Sequence, residues 1–255
     1  MGSGSDGHTP DRNNQDRSRA SGDSMHGVTK RIRVESDPKS EERQTKIVKE
    51  SRKLLKKTSS KSWVQRLNAF KVQVKKSATS DEEACRLFCI VGRTLVTEGT
   101  HKLRQLEALE WYEDASELDP NSLPCAYRYG ILLFRSNFIE RTIAVLQNAL
   151  ERQAAGTSED GDEEEIPLQA RVFVNLGVAY EAQENLAEAI NAYQKAIELH
   201  LDYPAALKLL GSAHLALEEY EDGETILQEA VRLKPIFPDA FCDLGACLRL
   251  LKDPK

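Results

Sequence analysis

Asn175-Leu176-Gly177, Leu209-Leu210-Gly211 and Asp243-Leu244-Gly245 follow one another at steps of 34 residues. The same step carries Ala196 onto Ala230, Tyr193 onto Leu227 and Ala189 onto Gly223. A repeat of that length is a helix–turn–helix unit. One unit cannot bury its own apolar face, so units stack side by side. The expected fold class is all-α: a helix–turn–helix solenoid wound into a right-handed superhelix. Stacking needs small residues where two helices approach closely, since a bulkier side chain there overpacks at about 1–3 kcal/mol. Gly130, Gly177, Gly211 and Gly245 are therefore read as packing residues, not catalytic ones.

Working outward, the solenoid is expected over 78–255, with repeats at 85–122, 123–154, 170–203 and 204–237 and a half repeat at 238–255. In the first repeat the turn, Glu98 to Leu106, is about four residues longer than a 34-residue unit allows. Between the second and third repeats the period breaks at an acidic insert, 155–168. Its Asp160-Gly161-Asp162 triplet has the look of a calcium loop, but Arg171 stands where the twelfth-position Glu is needed. The half repeat ends without a second helix, which would expose Phe241, Leu244 and Leu248. A sequence of this kind is expected to be part of a longer protein or a shortened product of its gene, or else to have its open end covered by a partner.

The N-terminal third differs in composition. Residues 1–80 carry a formal charge of roughly +10 and the remainder roughly −16, within a net −6. Residues 1–44 are polar and read as a disordered tail, with a basic patch at Lys30-Arg31-Ile32-Arg33. Residues 45–77 read as basic amphipathic helices, with Ile47, Val48, Leu54 and Leu55 in the first and Trp63, Leu67 and Phe70 in the second. Two uses are open to them: capping the first repeat, or binding calmodulin, acidic lipid or nucleic acid through residues 30–76. Five cysteines, Cys85, Cys89, Cys125, Cys242 and Cys247, match no zinc spacing and are expected to be reduced thiols with no bound metal. No secretory signal or membrane-spanning run is recognisable, so a cytoplasmic or nuclear protein is expected.

Over about residues 85–251 the pattern resembles the tetratricopeptide-repeat superfamily. More narrowly, Ala206 to Ala213, Glu219-Tyr220, Leu233-Lys234-Pro235 and Asp239 to Leu244 resemble the repeats of plant calcium-binding proteins that join EF-hands to such repeats. This chain has no EF-hand loop, so the resemblance implies a scaffold for protein partners and not calcium binding. Co-chaperones of the superfamily grip a C-terminal carboxylate with a Lys/Asn clamp. Of the matching places Tyr127, Ile131, Asn175, Ala205 and Leu209, only Asn175 fits, so no chaperone clamp is expected. The asparagine ladder of O-linked N-acetylglucosamine transferase arms is also missing, the places reading Ile90, Arg128, Asn175, Leu209 and Asp243.

A groove lined by the first helix of each pair would present Arg93, Tyr127, Arg128, Ile131, Arg171, Asn175, Val178, Lys208, Ser212 and Asp243. That mixture suits an extended or amphipathic peptide of some acidic character, with Tyr127 and Arg128 as first anchors; the other reading is an ordinary exposed face. The five histidines are scattered and no glycine-rich phosphate loop is present, so no catalytic residue and no cofactor is expected. The expected function is a non-catalytic scaffold binding a protein or peptide. Two alternatives stand beside it: a truncated recognition arm of a glycosyltransferase-like or larger regulatory protein, and a regulatory module acting through its basic helices.

Overall fold

The computed structural model describes residues 38–55, 63–98, 102–154 and 166–252, all within the compact unit Ser36–Lys255. The tail over 1–37, its basic patch and insert residues 155–165 lie outside the described residues. Eleven helices and no strand occur among the described residues: α1 (Pro38–Leu55), α2 (Trp63–Ser77), α3 (Asp81–Glu98), α4 (Lys102–Leu118), α5 (Leu123–Arg135), α6 (Ile139–Ala154), α7 (Leu168–Glu181), α8 (Leu186–Leu199), α9 (Pro204–Ala216), α10 (Tyr220–Leu233) and α11 (Pro238–Lys252).

Two boundaries differ from the sequence reading. Residues 38–44, expected in the tail, are the opening turns of α1, which starts on Pro38, where a missing N–H costs nothing. In the first repeat the extra residues lengthen the helices and not the turn. The chain is helical again from Lys102, and α3 and α4 run 18 and 17 residues against 13 and 16 in α5 and α6.

The pairs are α3–α4, α5–α6, α7–α8 and α9–α10, with α11 alone at the end. Among the described residues there is no single central core. Buried residues fall into four clusters that overlap along the chain, from Trp63–Phe88–Trp111 at one end to Leu227–Ala240–Cys247 at the other. This is the nearest-neighbour burial expected of stacked units.

Two devices recur from pair to pair. The first is the turn. Asn137, Glu184 and Glu218 have φ of 64°, 61° and 63°, each just past the first helix of its pair. The next N–H then reaches back to the last helical turn: Phe138 to the Leu133 carbonyl, Asn185 to Tyr180 and Glu219 to His214, each at 3.0 Å. These six-to-one bonds satisfy carbonyls that the helix end leaves open.

The second device is the glycine slot. A Cβ on Gly92 would come within 2.9 Å of Tyr112, on Gly130 within 2.6 Å of Leu146, on Gly177 within 2.4 Å of Tyr193, and on Gly211 within 2.6 Å of Leu227. Each slot is filled by the second helix of its own pair. At Gly245 nothing lies within 4 Å, and Phe241 and Leu248 are exposed while Leu244 is half-buried.

The slots give a paired prediction of opposite sign. Gly177→Ala gains about 1 kcal/mol of helix propensity but drives a methyl into a fully buried Tyr193 ring; a net loss of about 1–2 kcal/mol is expected. Gly245→Ala meets nothing and should gain up to ~1 kcal/mol. Urea denaturation followed by far-UV circular dichroism reads both; a stabilised Gly177 variant would contradict the slot.

Ahead of the first repeat, α1 and α2 form one more layer. Arg43 Nε meets Glu83 at 2.7 Å and Arg52 Nε meets Glu98 at 2.6 Å, so α1 runs parallel to α3. Trp63 Nε1 donates to Glu107 and Lys71 pairs with Asp114, which sets α2 parallel to α4 in the same way. The apolar face of this layer, Ile47, Trp63, Leu67, Phe70 and Val74, is buried. The buried Arg104 guanidinium lies 4.0 Å from the centre of the Trp63 ring.

Candidate functional site

Stacking parallel first helices leaves their outer faces side by side, and the ten groove residues fall into separate groups along them. Arg93 of α3 and Arg128 of α5 line one cavity of about 610 Å³ together with Arg86, Ile90, Cys89 and Cys125. Glu82 and Asp119 add two carboxylates at its edge. Arg86, Arg93 and Arg128 are exposed, and none is ion-paired to another described residue. Burial raises the pKa of Asp119, against which the Asn121 N–H acts.

The second group joins α5 to α7. Arg171 Nη2 donates to the Tyr127 hydroxyl at 2.9 Å, and the Arg171 guanidinium carbon lies 4.7 Å from the ring centre. Tyr127 is half-buried and packs against the second core cluster. Its edge is thus already occupied by the neighbouring repeat, which leaves Arg128 the better placed of the two expected anchors.

The third group joins α9 to α11. Ser212 Oγ donates to Asp243 Oδ2 at 2.6 Å, and Lys208 Nζ lies 3.2 Å from the same oxygen. The Asp243 carboxylate is thereby engaged within the protein, and this group links repeats. Ile131, Asn175 and Val178 are half-buried on the first helices between the groups, Val178 against the third core cluster.

Sequence reasoning missed one constellation. The sulfurs of Cys85, Cys89 and Cys125 lie within 4.8 Å of one another. Cys85 and Cys89 are one helical turn apart on α3; Cys125 comes from the first turn of α5, 36 residues on from Cys89. The sequence predicts reduced thiols, and the structure brings three of them together. The i, i+4 pair was visible in the sequence. The third sulfur arrives only through the stacking of α5 on α3, a separation no metal-binding spacing rule covers.

A family model described as tetratricopeptide repeat matches residues 127–200 and again 174–240. Residues 127–240 match the tetratricopeptide repeat. Among solved repeat structures it is similar to YrrB, described as having an unusual peptide-binding site, at 18% identity over 66% of this chain and 78% of that one, with a TM-score of 0.51. It is also similar to MamA of Desulfovibrio magneticus RS-1, at 19% identity over 76% and 96% of the two chains, TM-score 0.52. A third is PilF of Pseudomonas aeruginosa, at 18% over 84% and 93%, TM-score 0.51. At these identities the likeness concerns the fold. Comparison with curated proteins gives no match. The first pair, α3–α4, lies outside the residues that the family model matches, and it is there that the arginine-lined cavity begins.

Proposed function

We propose that this chain is a non-catalytic scaffold that holds an extended, acidic segment of a partner protein along its first helices, with the principal contact at α3 and α5. One observation carries the reading: Arg86, Arg93 and Arg128 surround a single open cavity without described ion-pair partners. Arginine suits such a role because its planar fork grips carboxylates in pairs. Ile90 adds an apolar contact at the cavity wall. No histidine lines the cavity, which favours binding over acid–base chemistry.

The use of the basic helices on calmodulin or a membrane is disfavoured. Both targets need the apolar face of an amphipathic helix, and in α1 and α2 that face is buried on the first repeat. No helix among the described residues is long and apolar enough to cross a membrane. The unpaired thiols fit a reducing compartment, cytosol or nucleus.

The test uses the full chain and a fluorescent glutamate-rich decapeptide, read by anisotropy. Arg93→Ala combined with Arg128→Ala should weaken binding at least ~10-fold, since a charge-assisted contact contributes about 1.5–3 kcal/mol. Arg249→Ala, on α11, should leave it unchanged. Binding that ignores the double substitution would sink the proposal.

A further inference from the structure

Two of the three cysteines, Cys89 and Cys125, line the arginine-lined cavity, and Cys85 lies within 4.8 Å of both through its sulfur. Cys85 and Cys125 are 1% exposed; Cys89 is half-buried and, with Cys125, lines the opening. Cys125 Sγ has the Tyr112 carbonyl at 4.0 Å. Such a cluster admits two uses, a disulfide or a metal, and the geometry distinguishes them. A disulfide joins two sulfurs and has no role for the third. Three sulfurs each ~2.3 Å from one cation stand about 4 Å apart, within the 4.8 Å limit that holds for all three here. Two ligands one helical turn apart already point the same way. The third comes from a helix held in place by the stacking, so the donors are preorganised.

We propose that Cys85, Cys89 and Cys125 form a three-thiolate site for a soft, closed-shell metal cation, Cu(I) or Zn(II). Soft thiolates select these two ions over hard divalent cations. Among the described residues no fourth His, Cys, Asp or Glu joins the cluster. Cu(I) is satisfied by three sulfurs in a plane; Zn(II) would take a water from the cavity as its fourth ligand.

Charge fits the assignment. Three thiolates around Cu(I) leave two negative charges, and around Zn(II) one. Arg86, Arg93 and Arg128 line the same cavity as Cys89 and Cys125 and bring positive charge to it. On binding, each thiol releases its proton to solvent and each sulfur gives a lone pair to the metal. The cation keeps its oxidation state, so no electron donor or acceptor is involved.

The experiment uses the full chain, reduced and metal-free under anaerobic conditions. Cu(I) is titrated against a chromophoric Cu(I) chelator, and Zn(II) separately against a zinc indicator. One equivalent of at least one ion should bind and should protect Cys85, Cys89 and Cys125, but not exposed Cys242, from alkylation as read by mass spectrometry. Saturation by Cu(I) alone assigns the three-coordinate form, and uptake of Zn(II) the water-completed form. Cys89→Ser, at a half-buried position that spares the core, should weaken binding at least ~100-fold, since even a supporting residue is worth 10–100-fold. Cys125→Ser should do the same, with unchanged helicity by circular dichroism as the check on folding. Cys242→Ser should bind as the unaltered chain does. The assignment is overturned if neither ion binds, if Cys89→Ser binds as tightly as the parent, or if the protein purified without reductant carries a disulfide between two of the three.

Discussion

Trp111→Ala is expected to remove about 3–5 kcal/mol of stability, the cost of deleting a large buried aromatic. Trp111 is fully buried on α4 and holds three elements together. Its ring meets Phe88 of α3 edge-on at 4.9 Å between centroids and Phe70 of α2 at 6.0 Å. Lys71 of α2, paired with Asp114, lies 5.5 Å from the centre of the ring. The alanine variant therefore separates the capping layer from the first repeat. In a stack of nearest-neighbour contacts that loss stays local. The expected result in urea is two transitions in place of one. The early one is followed by the fluorescence of Trp63, which sits in the capping layer; the late one, by far-UV circular dichroism, belongs to α5 onward. Trp111→Phe is the control. The indole Nε1 is buried without a hydrogen-bond partner among the described residues, so its removal relieves an unsatisfied donor while most of the ring contact survives. Its expected cost is about 1–2 kcal/mol. Coincident fluorescence and dichroism transitions in the alanine variant would show that Trp111 does not join the cap to the stack.

Trp111 also marks where sequence reading stops. Ala108, Tyr112 and Ala115 on α4 have the spacing of Ala189, Tyr193 and Ala196 in the third repeat and are buried in the same way. Trp111 faces a layer that is not a 34-residue unit. The offset from α1 to α3 exceeds 40 residues, so no period relates Trp111 to a contact. The cap itself was legible through Trp63, Leu67 and Phe70, whose helical spacing requires a partner face. Which face it was could not be read until α4 showed an apolar residue on the side away from its own pair.

The groove was legible in outline and not in grouping. First-helix positions follow from the repeat register, and the structure places all ten residues on first helices. Their side chains then couple across repeats, Arg171 to Tyr127 and Lys208 with Ser212 to Asp243. Such couplings depend on the rotation between neighbouring pairs, which a period of 34 does not encode. The cavity at α3 and α5 and the sulfur cluster beneath it have the same origin.

Glu83→Gln should lower stability by about 1–2 kcal/mol at neutral pH and flatten its dependence on acid. Ser80 and Glu83 form the start of α3: the Glu83 N–H donates to Ser80 Oγ at 3.1 Å, an arrangement that satisfies open donors at a helix N-terminus. The carboxylate then accepts from the Thr79 N–H at 2.7 Å, the Thr79 hydroxyl at 2.6 Å and Arg43 Nε at 2.7 Å. Burial alone would raise its pKa, but these bonds, Thr79 first and then Arg43, outweigh burial and lower it from 4.5 to about 2. A shift of that size corresponds to about 3 kcal/mol at full weight. Solvent reaches Arg43, whose side chain is 24% exposed, so the smaller figure is expected. Because the folded pKa lies below the unfolded one, the stabilisation is complete above about pH 4.5 and disappears as pH falls towards 2. Glutamine cannot ionise and presents an amide N–H to one of these donors, so the variant loses this part of the acid response. Urea midpoints taken from pH 7 down to pH 2.5 should show the two proteins converging. A constant gap across that range would mean that Glu83 acts through packing and not through its charge.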